Sequence, residues 1–215
     1  MREVQSSSQA EIQEAHRRIE SFSQRFGDAH FWFACHAAFP LAVTPDLLYS
    51  LWANFQQDSN EQQLDIPWIA VADLLFSELL SEVGYEIYQM EQLVRKTLLQ
   101  RLGENTNFGQ ARITELAEFL LVYVEPLLSS DDPDERDFAL AQLWTALAYL
   151  EPTSAVRQLA AFYQVSLDSS TELVRLESLL ENLTEPLAEF APLFTYARSL
   201  GQGYLTLLWQ HKVRI

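Results

Sequence analysis

Apolar side chains recur at helical spacing near the start of the chain. From Ile12 they fall three or four residues apart as far as Phe26, which predicts an amphipathic helix that Gly27 ends. The next stretch, 31–43 (FWFACHAAFPLAV), is almost entirely apolar. Because roughly 20 apolar residues are needed to cross a bilayer, its 13 residues predict a buried segment and not a membrane span.

Two further helices are predicted before the pattern changes. Thr44, Pro45 and Asp46 form a helix start, because threonine caps, proline suits the first helical position and aspartate complements the helix dipole. After a polar loop, a second helix is predicted to begin near Pro67 and to carry apolar residues as far as Leu80.

A period of two replaces the helical period over residues 83–90. Gly84 opens the segment, apolar and polar residues alternate from Tyr85, and tyrosine and isoleucine favour strands. This predicts a short β-hairpin, followed by a helix over about 91–102. Helix, loop, helix, hairpin and helix is the order of a winged-helix element.

The second half of the chain has helical spacing throughout. Residues 103–110 (GENTNFGQ) contain two of the six glycines and are predicted to link two subdomains, 1–102 and 111–215. Asp132 and Pro133 predict a cap and first position for one of several consecutive helices. The predicted fold is therefore mainly α, with a winged-helix-like N-terminal half that has one short β-hairpin, followed by an array of α-helical hairpins.

Composition narrows the classes of function. The chain has 215 residues, 48% of them hydrophobic, and a formal net charge of -16. Such a charge repels phosphate backbones and therefore argues against nucleic-acid partners. A single cysteine excludes a disulfide framework and a zinc site built on paired cysteines. No signal-like or membrane-spanning segment is recognised, which predicts a cytoplasmic protein without a membrane partner.

No residue pattern predicts catalysis, a metal or a cofactor. The glycines form neither a phosphate-binding loop nor a dinucleotide fingerprint, and there is no GxSxG or HExxH. Cys35 and His36 are adjacent, so they diverge by about 100° on a helix, and the apolar run around them predicts that Cys35 is a core residue. We therefore expect a non-enzymatic protein with no catalytic, cofactor-binding or metal-binding residues.

Several segments resemble a known family. YEIYQMEQLVRKTLLQRL (85–102) is similar to the wing and trailing helix of winged-helix modules in STAND-type signalling NTPases. Segments 26–55, 66–102, 129–152 and 173–201 resemble an N-terminal module of cyanobacterial multidomain proteins. There the module precedes WD40, TIR, caspase-like or formylglycine-generating-enzyme-like domains, in systems related to vWA–MoxR conflict systems. The resemblance implies an effector-associated adaptor without catalytic residues, with vWA-type, MoxR-type or effector proteins as partners.

Three functions remain open from the sequence. The first is a protein–protein interaction adaptor. Its candidate interface residues are Tyr85, Glu86 and Tyr88 on the hairpin and Tyr204 and Trp209 near the C-terminus. The apolar helices near the C-terminus are also predicted to permit homo-oligomers. The second is a winged-helix DNA binder, although its recognition segment 68–80 carries acids and the only nearby basic cluster is Arg95, Lys96 and Arg101. The third is an enzyme of unknown type.

Overall fold

The protein is mainly helical, with one two-stranded antiparallel hairpin. A computed structural model describes residues 2–165, 179–180, 182–183 and 186–190. The described elements are α1 (Arg2–Phe26), α2 (Asp28–Ala37), α3 (Pro45–Asn54), α4 (Ala70–Leu75), β1 (Leu80–Gly84), β2 (Ile87–Met90), α5 (Gln92–Glu104), α6 (Gly109–Val124), α7 (Pro133–Leu150) and α8 (Pro152–Val165), with 3-10 turns at Leu127–Ser129 and Ala188–Phe190.

Two compact units divide the chain between Phe119 and Leu120, within α6. The sequence instead places a linker at 103–110, but these residues belong to the first unit. Phe108 is buried there, and the carbonyl oxygen of Asn107 accepts a hydrogen bond from the backbone N–H of Ser59. The buried Phe108 ring and this hydrogen bond thus hold the glycine-containing segment within the first unit.

In the first unit, α1, α2 and α5 pack on one another and α2 is buried almost all round. This confirms that the apolar run is a core segment, and no helix in the described part of the chain is long and apolar enough to cross a membrane. Gly27 separates α1 from α2 with φ 85°, a left-handed conformation that side chains disfavour. The predicted break at this glycine is therefore confirmed.

The start of α3 is also as predicted. Thr44 has extended backbone, its Oγ1 accepts the N–H of Leu47, and Pro45 takes the first helical position. Just before it, Val43 exchanges two backbone hydrogen bonds with Tyr88 of β2. The pairing order is therefore Val43, β2 and β1.

The helix predicted to run from Pro67 to Leu80 is much shorter than expected. Helix α4 ends at Leu75, and Leu80 already opens β1. Ser77 explains the early end, because its hydroxyl donates to the carbonyl of Leu74 and accepts the N–H of Leu79. Such side-chain bonds compete with those of the helix. Leu80, the first residue of β1, is thus the one strand residue that helical spacing assigned to the helix.

In the second unit, α7 and α8 form a helical hairpin joined through Glu151. The rings of Trp144 and Phe162 lie 4.9 Å apart between these helices. The start of α7 confirms the predicted cap, since the carboxylate of Asp132 accepts the N–H of Asp134 and Pro133 follows it. The helices predicted from Leu173 onward lie largely outside the described residues.

Removing the cap of α7 should destabilise the second unit. We expect Asp132→Ala to lower its free energy of unfolding by about 1 kcal/mol, because the N–H of Asp134 then loses its side-chain acceptor. Urea unfolding followed by far-UV circular dichroism measures this, with Asp132→Asn expected to restore most of the stability. Asp131→Ala, one residue earlier and also exposed, is the control. An equal loss in both variants would contradict the assignment of a cap.

Candidate functional site

Helix α4 presents an apolar face to solvent. It buries Ala70, Val71 and Leu74 against α2 and α3. Positions 69, 72, 73 and 76 are spaced i, i+3, i+4 and i+7, so they share the opposite side of the helical path. Here Ile69 and Phe76 are exposed, Phe76 to 89%. The side of α4 opposite the core, where polar residues are usual, therefore carries two exposed apolar residues.

Trp68 adds a second large ring beside this face. It lies in the turn that leads into α4 and is 60% exposed. With Ile69 and Phe76 it forms what we call the α4 face. Exposed aromatic rings are uncommon on surfaces without partners, and tryptophan and tyrosine are enriched in the energetic centres of protein interfaces.

The hairpin tip carries the other exposed aromatic. Tyr85 and Glu86 form the turn between β1 and β2, and Tyr85 is 88% exposed. Val83, at an irregularity in the strand pairing, is exposed as well. Glu86 has φ 54°, a left-handed conformation that costs roughly 1–2 kcal/mol for a residue other than glycine. Strained positions of this kind concentrate where a surface is used.

The structure places the five candidate interface residues in different environments. Tyr85 and Glu86 lie at the exposed hairpin tip, whereas Tyr88 is half-buried and its backbone pairs with Val43. Tyr88 is therefore better explained as part of the sheet that holds the hairpin. Tyr204 and Trp209 lie outside the described residues. The sequence reasoning missed Phe76 and Trp68, which the structure exposes beside α4.

The basic cluster considered for DNA binding is mostly occupied within the protein. Arg95 is buried and donates to the carbonyl oxygens of Phe39 and Pro40, which fixes the chain after α2. The guanidinium of Arg101 lies 5.7 Å from the ring centre of Phe31. Lys96 is exposed. Two of the three cations thus serve the core, which leaves Lys96 alone as an exposed cation of this cluster.

Carboxylates surround the α4 face and the hairpin tip. Asp73 lies 3.1 Å from Nε2 of His30, and the carbonyl of Glu78 accepts a hydrogen bond from Arg18. Glu82 and Glu86 flank Tyr85 and have no ion-pair partner among the described residues. The two exposed aromatic features are therefore set in an acidic environment.

Cys35 and His36 do not form a catalytic pair. Both side chains are fully buried, and burial raises the pKa of the Cys35 thiol, which keeps it in the unreactive protonated form. His36 instead uses Nδ1 toward the carbonyl oxygen of Trp32, at 2.6 Å, and Nε2 toward Nη1 of Arg112, at 3.0 Å. In the part of the chain that the structure describes, no three of the residues His, Cys, Asp and Glu are grouped so as to hold a metal ion.

Arg112 completes a buried polar cluster that the sequence did not indicate. Its Nη2 donates to the carbonyl of Gln57 at 2.7 Å, and its Nε lies 2.8 Å from a carboxylate oxygen of Glu115. The guanidinium also lies between the rings of Phe55 and Phe108, 5.2 and 5.3 Å from their centres. This cluster joins the 56–65 loop and α6 to α2. Its centre, formed by Arg112 and His36, is buried, whereas Glu115 and Gln57 are exposed residues at its edge.

Comparison with known proteins adds no family to this description. No protein-family model matches the chain, and no curated protein or solved structure is significantly similar to it. The resemblance of its segments to the cyanobacterial module stays a prediction.

Proposed function

We propose that the chain is a non-enzymatic protein–protein interaction adaptor that binds its partner through the α4 face and the hairpin tip. The observation that carries the proposal is the exposure of three large rings, Trp68, Phe76 and Tyr85, on neighbouring segments of a winged-helix-like unit. Together they expose on the order of 450 Å² of aromatic surface, if each ring contributes about 200 Å² when fully exposed. That is about half of what one partner contributes to an interface of standard size, roughly 800 Å².

The family resemblance adds a setting to this proposal. It implies an effector-associated module of a bacterial signalling or conflict system, in which the partner is a vWA-type, MoxR-type or effector protein. The acidic environment of the α4 face supports a protein partner over DNA, because the position of a recognition helix carries Asp73 where phosphate contacts need lysine or arginine.

The proposal predicts that single ring truncations weaken binding without unfolding the protein. We expect one of the proteins encoded beside its gene to bind the purified chain with a Kd of about 10 µM or tighter. Phe76→Ser and Tyr85→Ser should each weaken binding about 30-fold, because aromatic residues at the centre of an interface contribute about 2 kcal/mol. Isothermal titration calorimetry with each purified candidate measures these constants.

Val122→Ser is the matched control, since Val122 is 71% exposed but belongs to the second unit. It should bind as the wild type does, and all three variants should unfold within about 0.5 kcal/mol of the wild type. The proposal would be refuted if Val122→Ser weakened binding as much as Phe76→Ser does. It would also be refuted if no candidate protein bound the chain.

A further inference from the structure

The region that carries the α4 face and the hairpin tip contains no cation. Between Ala37 and Val94 the sequence has no lysine, arginine or histidine and nine carboxylates. Three of these carboxylates have identified partners within the protein. Asp58 is buried and accepts the N–H groups of Asn60 and Gln62, Asp73 pairs with His30, and Glu91 lies 3.6 Å from Arg18.

The carboxylates beside the exposed rings are not neutralised in this way. Glu82 and Glu86 are exposed on either side of Tyr85, and within the described residues neither has a basic side chain in ion-pair range. Glu78, also exposed, follows Phe76 by two residues. Tyr85 is thus bordered by two negative charges that form no ion pair among the described residues. Glu78, in contrast, interacts with the positive charge of Arg17, and its carbonyl binds Arg18.

We infer that the occupant of this surface is a cationic amphipathic segment of a second protein, with lysine or arginine placed beside its apolar side chains. This inference rests on the proposed function and names the chemistry of its partner. Complementary potentials across an interface steer association and exclude wrong partners. A nucleic acid or an anionic membrane carries the wrong sign of charge, and a second copy of the chain, at -16, would bring acid against acid.

Synthetic peptides provide a defined probe of this inference. Two fluorescein-labelled 18-residue amphipathic helices have identical leucine positions, and their polar face is all lysine in one and all glutamate in the other. We expect the full chain to bind the lysine peptide at 50 mM NaCl and to bind the glutamate peptide at least tenfold more weakly. Raising NaCl to 500 mM should weaken binding of the lysine peptide at least tenfold, as measured by fluorescence anisotropy.

Variants with equal changes in charge distinguish attraction to this surface from attraction to the net charge of the chain. Glu82→Lys with Glu86→Lys should weaken binding of the lysine peptide about tenfold. Asp131→Lys with Asp134→Lys changes the net charge equally at exposed positions of the second unit and should have little effect. Equal weakening by both pairs would show attraction to overall charge only and would overturn the inference.

The remaining outcomes distinguish this inference from the proposed function. If both peptides bound equally well and Phe76→Ser abolished this binding, the inference of a cationic partner would be overturned. The proposed adaptor surface would still stand. Peptide binding that neither Phe76→Ser nor Tyr85→Ser changes would overturn both. A dimer seen by light scattering and lost in Phe76→Ser would assign the surface to a second copy of the chain and would overturn the inference as well.

Discussion

Replacing Arg112 by methionine should lower the free energy of unfolding by about 2–4 kcal/mol, because the buried Nε2 of His36 and the part-buried carbonyl of Gln57 both lose a hydrogen-bond donor. Methionine keeps apolar contact with Phe55 and Phe108 but donates no hydrogen bond. The carbonyl of Gln57 and Nε2 of His36 then lose the donors that they have now. Each buried acceptor without a donor costs roughly 1–3 kcal/mol, so the loss should be far greater than that of a surface ion pair.

The matched control is Arg17→Met, because Arg17 also pairs with a carboxylate three residues away but is exposed. This variant should unfold within about 0.5 kcal/mol of the wild type. Arg112→Lys should recover only part of the stability, since an ammonium cannot reach the acceptors with the planar fork of a guanidinium. Urea unfolding followed by tryptophan fluorescence measures all three. A loss below 1 kcal/mol for Arg112→Met would mean that the cluster does not hold the first unit together.

Local signals account for much of what the sequence predicted correctly. Gly27, Thr44, Pro45, Asp132 and Pro133 act through their own backbone or through bonds to residues two or three positions away. Their effect on helix ends therefore does not depend on the rest of the fold. The mainly helical class and the single hairpin follow from such signals and from the spacing of apolar residues.

The error in the helix before the hairpin has a physical cause of the same kind. Helical spacing continues through Leu79 and Leu80, and both are buried, but in the path into β1 and not in α4. Apolar periodicity cannot distinguish a short helix followed by a buried strand entry from one longer helix. Ser77, whose hydroxyl ends α4, was the only local sign of the break.

The candidate site was predicted in part. Tyr85 and Glu86 belong to the alternating segment that predicts a hairpin, and the connecting segments of hairpins lie at the surface. Phe76 was assigned to the apolar stripe of a helix, and periodicity gives no means of separating an apolar face that is covered from one that is open. The acidity of 37–94 was visible from the sequence, but the placement of Glu82 and Glu86 around an exposed ring needed the register of the hairpin.

The buried cluster around Arg112 could not be predicted from the sequence, because its members are far apart in the chain. His36 and Arg112 are 76 positions apart, and Arg112 lies 55 positions from Gln57. Arg112 occupies one position in an otherwise ordinary amphipathic helix, where arginine normally faces solvent. Only the folded arrangement of α2, the 56–65 loop and α6 brings these groups together.

His36 should make the stability of the first unit fall as the pH is lowered from 7 to 5. The carbonyl of Trp32 can only accept, so Nδ1 carries the proton, and Arg112 can only donate, so Nε2 must keep its lone pair. Burial, together with the positive charge of Arg112, lowers the pKa of His36 from 6.5 to about 4, although its hydrogen bond to Trp32 opposes the shift. Between those values the unfolded chain binds a proton that the folded chain does not. Stability from this residue is therefore complete above pH 6.5 and is lost as the pH falls toward 4, by about 2 kcal/mol between pH 7 and pH 5.

Comparison with His36→Gln isolates this effect from the titration of the carboxylates. Glutamine offers one amide donor and one carbonyl acceptor, so it retains both kinds of hydrogen bond without a titrating group in this pH range. We expect urea unfolding at pH 7, 6 and 5 to show the wild type losing about 2 kcal/mol more than His36→Gln does. Any constant destabilisation of the variant drops out, because only the dependence on pH is compared. Parallel curves for the two proteins would mean that His36 takes up its proton over the same pH range in the folded and the unfolded chain, with Nε2 turned away from Arg112.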